Sequence, residues 1–237
     1  MKVRVLLFAG LKELLGRESL ELDSPEIFTV GDVCKILKTR YPGFGSFSRS
    51  LLVAVNQEFA DFQSPIQEGD ELALFPPVSG GQESTNSIYR PNGVGDIYQI
   101  VHEPIRTEDI VTQLGRSGDG AVATFLGCVR DNTQGRKTTH LLYEAYKPMA
   151  LRKMLEIGEA VRRQWEVGHV GIIHRLGRLE IGEVSVAIVV TSPHRRVAFE
   201  SCQYVIDTLK RTVPIWKKEF FQDGEVWVEG EFHDTES

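Results

Sequence analysis

The chain has 237 residues, 41% of them hydrophobic and 25% charged, with 33 acidic against 27 basic side chains and a net charge of −6. That length accommodates one large domain or two modest ones, each able to bury a core, and the acidity argues against a general nucleic-acid coat, so any anion site must be a local basic cluster. No apolar run is long enough to span a bilayer, the opening Met1–Phe8 is too short for a signal peptide, and Cys34, Cys128 and Cys202 show neither paired nor metal-ligand spacing, so a reducing cytoplasm is expected, with no membrane and no metal site.

Val3, Val5 and Leu7 alternate with Lys2 and Arg4, which predicts a half-buried strand over Lys2–Phe8. Leu11–Leu15 is a short helical turn stopped by Gly16, and Ser19–Leu22 is the returning strand. Thr29 caps a helix, with Asp32 in the capping-box position. Val33, Ile36, Leu37 and Tyr41 form its buried stripe, and Pro42-Gly43 ends it. Leu51–Asn56 is an apolar strand followed by a Gln57-Glu58 turn, and Glu68-Gly69-Asp70 turns into a last strand at Glu71–Phe75. The order β-β-α-β-β delivers the tail Pro76-Pro77-Val78-Ser79-Gly80-Gly81. Two prolines, lacking N–H and fixed in φ, leave a sheet on a stiff extended course, and two glycines put bare backbone at the tip. Such a tail can thread a narrow pocket, although the same composition also describes a linker between domains.

Leu7-Phe8-Ala9, Val53-Ala54-Val55-Asn56, Glu68-Gly69-Asp70-Glu71-Leu72-Ala73 and the tail resemble the small subunit of molybdopterin synthase over about the first third of the chain. That family is a ubiquitin-like β-grasp sulfur carrier. The resemblance implies that an ATP-dependent partner enzyme adenylates Gly81 and converts it to a thiocarboxylate, with no permanently bound cofactor. Because Gln82 follows Gly81, this chemistry requires cleavage between them, and the polar segment beyond offers an exposed site.

Gln82–Gly95 is polar, aperiodic and contains Gly and Pro, so a flexible linker spanning roughly 20 Å is expected there. From Tyr98 the pattern changes to longer helices and more strands. Thr107 caps a helix to about Leu114, and Gly115–Gly120 is a glycine-rich loop without the Lys-Ser/Thr of a phosphate-binding loop. Ala121–Leu126 is a buried strand leading to the polar loop Gly127–Asn132, and His140–Tyr146 is another strand. Pro148–Trp165 is helical, with Leu151, Leu155, Gly158, Val161 and Trp165 along one side. His169–Leu176 and Glu183–Thr191 are strands, and after Ser192–Arg195 a long helix carries Phe199, Cys202, Ile206, Leu209 and Val213 until Pro214 closes it. Trp216–Phe221, an Asp223-Gly224 turn and Glu225–Glu229 make a terminal hairpin. Both halves are α+β by element order.

Lys210, Arg211, Lys217 and Lys218 crowd the end of the long helix and the start of the hairpin. The helix dipole and solvent account for Lys210 and Arg211; the second lysine pair beyond Pro214-Ile215-Trp216 is less well explained that way. Crowded lysines suit proton transfer and attack on a carbonyl carbon. Arg130, after a strand, suits a bidentate phosphate clamp, and His194-Arg195 precede a helix N-terminus, where backbone N–H groups favour an anion.

Phe125-Leu126-Gly127-Cys128-Val129-Arg130, Tyr143-Glu144-Ala145-Tyr146, His174-Arg175-Leu176-Gly177, Ser192-Pro193-His194-Arg195 and Asp207–Lys210 with Val213–Glu219 resemble the large, catalytic subunit of molybdopterin synthase. The resemblance implies that Arg130, His194, Arg195, Lys210 and Lys217 bind or act on cyclic pyranopterin monophosphate. Phe125, Cys128, Val129, Lys218 and Glu219 would complete the pocket, with Lys210, Lys217 and Gly81 as the catalytic groups. Cys128 stands where many relatives carry lysine, and is expected as a small apolar filler. The expected architecture is therefore a ubiquitin-like β-grasp domain over 1–81, a linker over 82–95 and an α+β catalytic domain over 96–237. The expected activity is a sulfurtransferase that builds the dithiolene of molybdopterin. The alternative is a non-catalytic sulfur carrier fused to a pterin-binding scaffold. His194 and Lys210 lie sixteen residues apart along one helix, about 24 Å of rise, so a homodimer with shared sites is expected.

Overall fold

The computed structural model describes residues 1–25, 27–47, 51–76, 87–89 and 95–228. Two compact units divide between Val78 and Ser79. The tail from Pro77 to Gly81, most of the expected linker and Glu229 lie outside the described residues.

The first unit runs β1 (Lys2–Leu7), α1 (Gly10–Leu15), β2 (Ser19–Asp23), α2 (Val30–Arg40), a 3-10 turn (Pro42–Ser46), β3 (Leu52–Val55), β4 (Glu58–Ala60) and β5 (Glu71–Phe75). The sheet order is β2-β1-β5-β3-β4, with β1 and β5 parallel at its centre. This is a β-grasp: two hairpins flank a parallel pair, and one helix covers a face. Alternation in β1 buries Val3, Val5 and Leu7, against which α2 lays Val30, Val33 and Leu37. The Thr29 capping box forms with both reciprocal bonds, and Gly16 closes α1 in the left-handed conformation. Ile36 and Tyr41 are only half-buried, at the margin of that core. The hairpin after β3 turns one residue earlier than expected, at Asn56 and Gln57, both with positive φ. Its return strand β4 was not expected; at three residues, two of them exposed, it shows no alternation.

The second unit contains β6 (Ser87–Tyr89), β7 (Ile97–Val101), α3 (Thr107–Leu114), β8 (Ala121–Cys128), β9 (Asn132–Thr133), β10 (Arg136–Ala145) and α4 (Lys147–Gln164). It continues with β11 (Val170–Arg175), β12 (Gly177–Glu180), β13 (Val184–Ser192), α5 (Arg195–Thr212), β14 (Ile215–Phe221) and β15 (Gly224–Val228). One sheet has the order β6-β7-β11-β13-β8; the other has β12-β10-β14-β15, with β9 paired to β10. α4 and α5 cover one face of the first sheet and α3 the other, so the Val/Ile run of β13 is buried on both sides.

Several expectations change here. Ser87–Tyr89, in the segment expected as linker, pairs with β7 as an edge strand. Thr107 is the first helical residue and Arg106 the cap. β8 is a sheet edge rather than a buried strand, which leaves Val122 44% and Leu126 40% exposed. Phe199 is 68% exposed, because the buried stripe of α5 runs through Ala198, Cys202, Val205, Ile206 and Leu209.

A buried carboxylate pins the start of the unit. Asp96 accepts from Arg162 Nε at 3.0 Å, from Arg162 Nη2, from Tyr98 Oη at 3.2 Å and from the Val170 N–H at 2.9 Å. The Tyr98 hydroxyl reaches it by crossing α4 at Gly158, where a Cβ would lie 1.7 Å from that oxygen. Among the described residues no helix is long and apolar enough to cross a membrane.

Candidate active site

The site grows from an irregularity in β13. Val184 lies opposite Cys128 and Val186 opposite Gly127, so Ser185 is an extra residue at a β-bulge. Bulges re-aim side chains, and here Ser185 Oγ donates to the Gly127 carbonyl at 3.0 Å, in the neighbourhood of Tyr143 of β10. Gly127 must be small: a Cβ there would meet Val186 Cγ1 at 2.7 Å.

Tyr143 lies directly across from Lys217 of β14, and Leu141 across from Glu219. Opposed residues on neighbouring strands share a face, so Tyr143, Lys217 and Glu219 line one side of the β12-β10-β14-β15 sheet. Lys217 Nζ sits 2.6 Å from Glu219 Oε1, with the Lys217 side chain 23% exposed and that of Glu219 2%. Glu219 Oε2 is buried without a hydrogen-bond partner. Burial pushes the Tyr143 phenol up, the Ser185 hydrogen bond draws it down, the Glu219 charge raises it and the Arg130 charge lowers it. Arg130 is exposed beyond β8, and its charge and that of Glu219 bear on this phenol in opposite senses. The Tyr143 ring rests on His174 with centroids 5.2 Å apart. Burial lowers the His174 pKa to about 4, against the opposing hydrogen bond to the Arg175 carbonyl at 2.9 Å.

The remaining expected residues distribute unevenly. Val129 is a core residue, packed with Leu141 and Leu179; its N–H donates to Glu183 O at 3.0 Å, and its carbonyl accepts from Gly182 N at 2.9 Å. Phe125 packs against the main core under α5. Cys128 is exposed, not an apolar filler, because β8 is an edge. Lys218 faces the opposite side of the strand from Lys217, since successive strand residues alternate. There it pairs with Glu225 at 2.5 Å and lies 5.4 Å from the Phe220 ring centroid and 5.6 Å from that of Trp227. Lys210 is exposed in the last turn of α5, and Val213-Pro214 leads from it to β14. His194 caps the other end of the same helix, with exposed Arg195 following. Eighteen unbroken helical residues span about 27 Å, so one chain does not bring His194 and Lys210 together. Gly81 lies outside the described residues. Among the described residues no cluster of His, Cys, Asp and Glu could hold a metal ion.

Tyr143, Ser185 and His174 were not expected in the site. A tyrosine and a histidine inside strands, and a serine among the valines of β13, were the available signals; the bulge that joins them leaves none in the sequence.

The model of the MoaE protein family matches residues 100–212, and that of the ThiS family matches residues 5–81. The chain is 44% identical over 138 residues to the molybdopterin synthase catalytic subunit of Bacillus subtilis (strain 168), covering 58% of this chain and 88% of that protein. It is 46% identical over 131 residues to the subunit of the same name from Staphylococcus carnosus (strain TM300), covering 55% and 87%. Among solved structures, molybdopterin synthase from Staphylococcus aureus is similar with a TM-score of 0.53 and 44% identity, over 54% of this chain and 94% of that one. The MoaE protein from Burkholderia ambifaria MC40-6 is similar with a TM-score of 0.50 and 33% identity, over 57% and 90%.

Proposed function

This chain belongs to the MoaE family of molybdopterin synthase catalytic subunits and carries a ThiS-family domain ahead of it, and from that premise we propose that it transfers sulfur to cyclic pyranopterin monophosphate to make the dithiolene of molybdopterin. Its role lies in molybdenum cofactor biosynthesis. The observation that supports the sulfur-transfer reading is the buried Lys217–Glu219 pair on β14, with Lys217 directly across from Tyr143 of β10.

Residues 1–81 are the carrier and 96–237 the catalytic part, and the connection 82–95 adds the edge strand Ser87–Tyr89 to the catalytic part's sheet. An ATP-dependent enzyme adenylates Gly81, once freed from Gln82, and leaves it as a thiocarboxylate; a reducing cytoplasm suits that sulfur. Arg130 holds the substrate phosphate as a fork of donors. The thiocarboxylate sulfur attacks a side-chain carbon of the pterin as a C–O bond there breaks, opening the cyclic phosphate, and water then cleaves the acyl–sulfur bond and returns Gly81 as a carboxylate, while Lys217 and Lys210 stabilise the developing negative charge and move protons. Glu219 holds Lys217 in place. Two sulfurs require two charged carriers or two rounds. His194 and Arg195 complete the phosphate site from a second copy, because α5 separates them from Lys210.

The deciding experiment incubates the full-length protein with an adenylating enzyme, ATP, a sulfide source and cyclic pyranopterin monophosphate, then assays molybdopterin. Intact mass is read in parallel. Product formation with a cut after Gly81 is expected. No product from the cut, sulfur-loaded protein would overturn the reading, and activity from a fully uncut chain would overturn the cleavage.

A further inference from the structure

The glycine-rich loop Gly115–Gly120 lacks the Lys-Ser/Thr of a phosphate-binding loop, yet its conformation is closely specified. The Asp119 carboxylate, whose side chain is 3% exposed, accepts from the Arg116 N–H at 3.1 Å, from Nε at 3.3 Å and from Nη2 at 3.0 Å. Asp119 N donates back to Arg116 O at 3.1 Å, so the loop is closed on itself and delivers Gly120 to the end of β13. There the Gly120 N–H donates to the Ser192 carbonyl at 3.1 Å, and a Cβ at position 120 would lie 2.5 Å from the Pro193 carbonyl oxygen. Ser192 itself is fully buried; its Oγ donates to the Glu166 carbonyl at 3.1 Å and accepts the His194 N–H at 3.3 Å.

We propose that Ser192 and Gly120 are positioning residues for His194 and Arg195, fixing the direction from which these two reach the substrate phosphate. His194 and Arg195 are both exposed, so the backbone that leads to them sets their course. The Ser192 hydroxyl has one proton, given to Glu166, and lone pairs left to accept from His194, so its two bonds are compatible. Through them the turn after α4 is tied to the residue that caps α5. That turn is itself anchored: Arg162 Nη2 donates to Gly168 O at 3.1 Å, and His169 N to Thr191 Oγ1 at 2.8 Å. Pro193, fixed in φ, has its carbonyl seated against the bare backbone of Gly120. The β8–β13 ladder accounts for the Gly120–Ser192 bond, since Ala121 is paired with Ser192. It accounts for neither the buried hydroxyl nor the missing side chain at position 120. Hydrogen bonds to phosphate weaken steeply with misalignment, so a corner that drifts loses binding at both residues.

The inference rests on the assignment of His194 and Arg195 to the substrate phosphate, and its test is separable from sulfur transfer. Cyclic pyranopterin monophosphate is titrated calorimetrically into the full-length protein without sulfur loading, for the parent, Ser192→Ala, Gly120→Ala, His194→Ala and Ser201→Ala. Melting curves confirm that each is folded, and molybdopterin formation is measured alongside. His194→Ala raises Kd at least about 10-fold, as for a charged hydrogen bond. Ser192→Ala and Gly120→Ala raise it roughly 3- to 10-fold, the worth of one hydrogen bond, while kcat at saturating substrate stays within about twofold because Lys210 and Lys217 are untouched. Ser201 is an equally buried serine of α5 whose hydroxyl donates to the Val197 carbonyl at 2.6 Å; its alanine variant loses stability but keeps Kd within about twofold. Parental Kd in both Ser192→Ala and Gly120→Ala overturns the positioning role. An equal rise in Ser201→Ala does the same, as does a kcat that falls while Kd holds. If Gly120→Ala does not fold, Ser192→Ala, which only removes an atom, decides alone. A parent that binds the cyclic phosphate but makes no molybdopterin refutes sulfur transfer and leaves the positioning to be decided by Kd; a His194→Ala protein that binds like the parent removes the phosphate role and the positioning with it.

Discussion

Glu219→Gln separates a residue kept for stability from one kept for chemistry. The carboxylate is 1% exposed and holds Lys217 at 2.6 Å. A hydrogen bond between charged groups contributes about 1.5–3 kcal/mol. Against it stands Glu219 Oε2, buried without a hydrogen-bond partner, a loss of about 1–3 kcal/mol for such a group. The two nearly offset. Glutamine keeps the shape, still accepts from Lys217 through its carbonyl and removes the buried charge, so stability changes by no more than about 1 kcal/mol, roughly 3 °C in a domain of this size. Activity responds differently. Lys217, whose side chain is 23% exposed, is then held by a neutral acceptor in place of a carboxylate and spends more time turned toward solvent, and a displacement of about 1 Å at a reacting group costs up to roughly 100-fold. We therefore expect kcat to fall about 10- to 100-fold with a nearly unchanged melting temperature, measured by calorimetry and by molybdopterin formation on the same preparation. A melting point lowered by more than about 10 °C with kcat intact would refute the offset and its functional consequence together.

Lys217→Ala should abolish at least about 99% of activity, as expected for a group that moves protons or stabilises charge. Lys218→Met, on the other face among Phe220 and Trp227, should leave kcat within about fivefold; equal losses in the two variants would contradict the face assignment. Mixing a Lys210→Ala chain with a His194→Ala chain should restore partial activity, because α5 keeps these residues apart in one copy; no rescue at any mixing ratio counts against shared sites. His174 sets a pH dependence: the unfolded imidazole titrates near 6.5 and the buried one near 4. Between these values the unfolded chain binds more protons, so the contribution is complete above pH 6.5 and is lost as pH falls, by roughly 3 kcal/mol at the acid end. His174→Gln should flatten the unfolding midpoint between pH 6.5 and 5 relative to the parent, and parallel curves would show that another group dominates.

What could be read in the residues was what neighbours along the chain decide. The alternation of Val3, Val5 and Leu7, the Thr29–Asp32 box and the uninterrupted α5 are local, and each formed as expected. The basic residues were also visible as types. Their directions were not all drawn out: Lys217 and Lys218 were grouped as a pair, although a strand sends consecutive side chains to opposite faces. Whether β8 was central or an edge depended on pairing with β13, sixty residues away in sequence, and so did the exposure of Cys128 and Leu126. Phe199 fitted the apolar spacing of α5 but sits beside the stripe instead of in it. The meeting of Ser185 and Gly127 needed two strands distant in sequence and an offset in register, neither of which is a property of a short stretch of sequence.

The short strand Ser87–Tyr89 constrains where this polypeptide tolerates a break. It satisfies the outward N–H and C=O groups of β7, the strand that would otherwise end the sheet. A protease acting between Gly81 and Gln82 leaves that ladder whole, because the scissile bond precedes it by five residues. A nick beyond Tyr89 would strip the cover from β7 and leave a row of unsatisfied backbone groups, a template for association with other chains. A cut at Gly81 and one beyond Tyr89 would thus have opposite consequences within a few residues, and hydrogen bonds of the catalytic unit, rather than accessibility alone, mark which side of Ser87 is safe to cut.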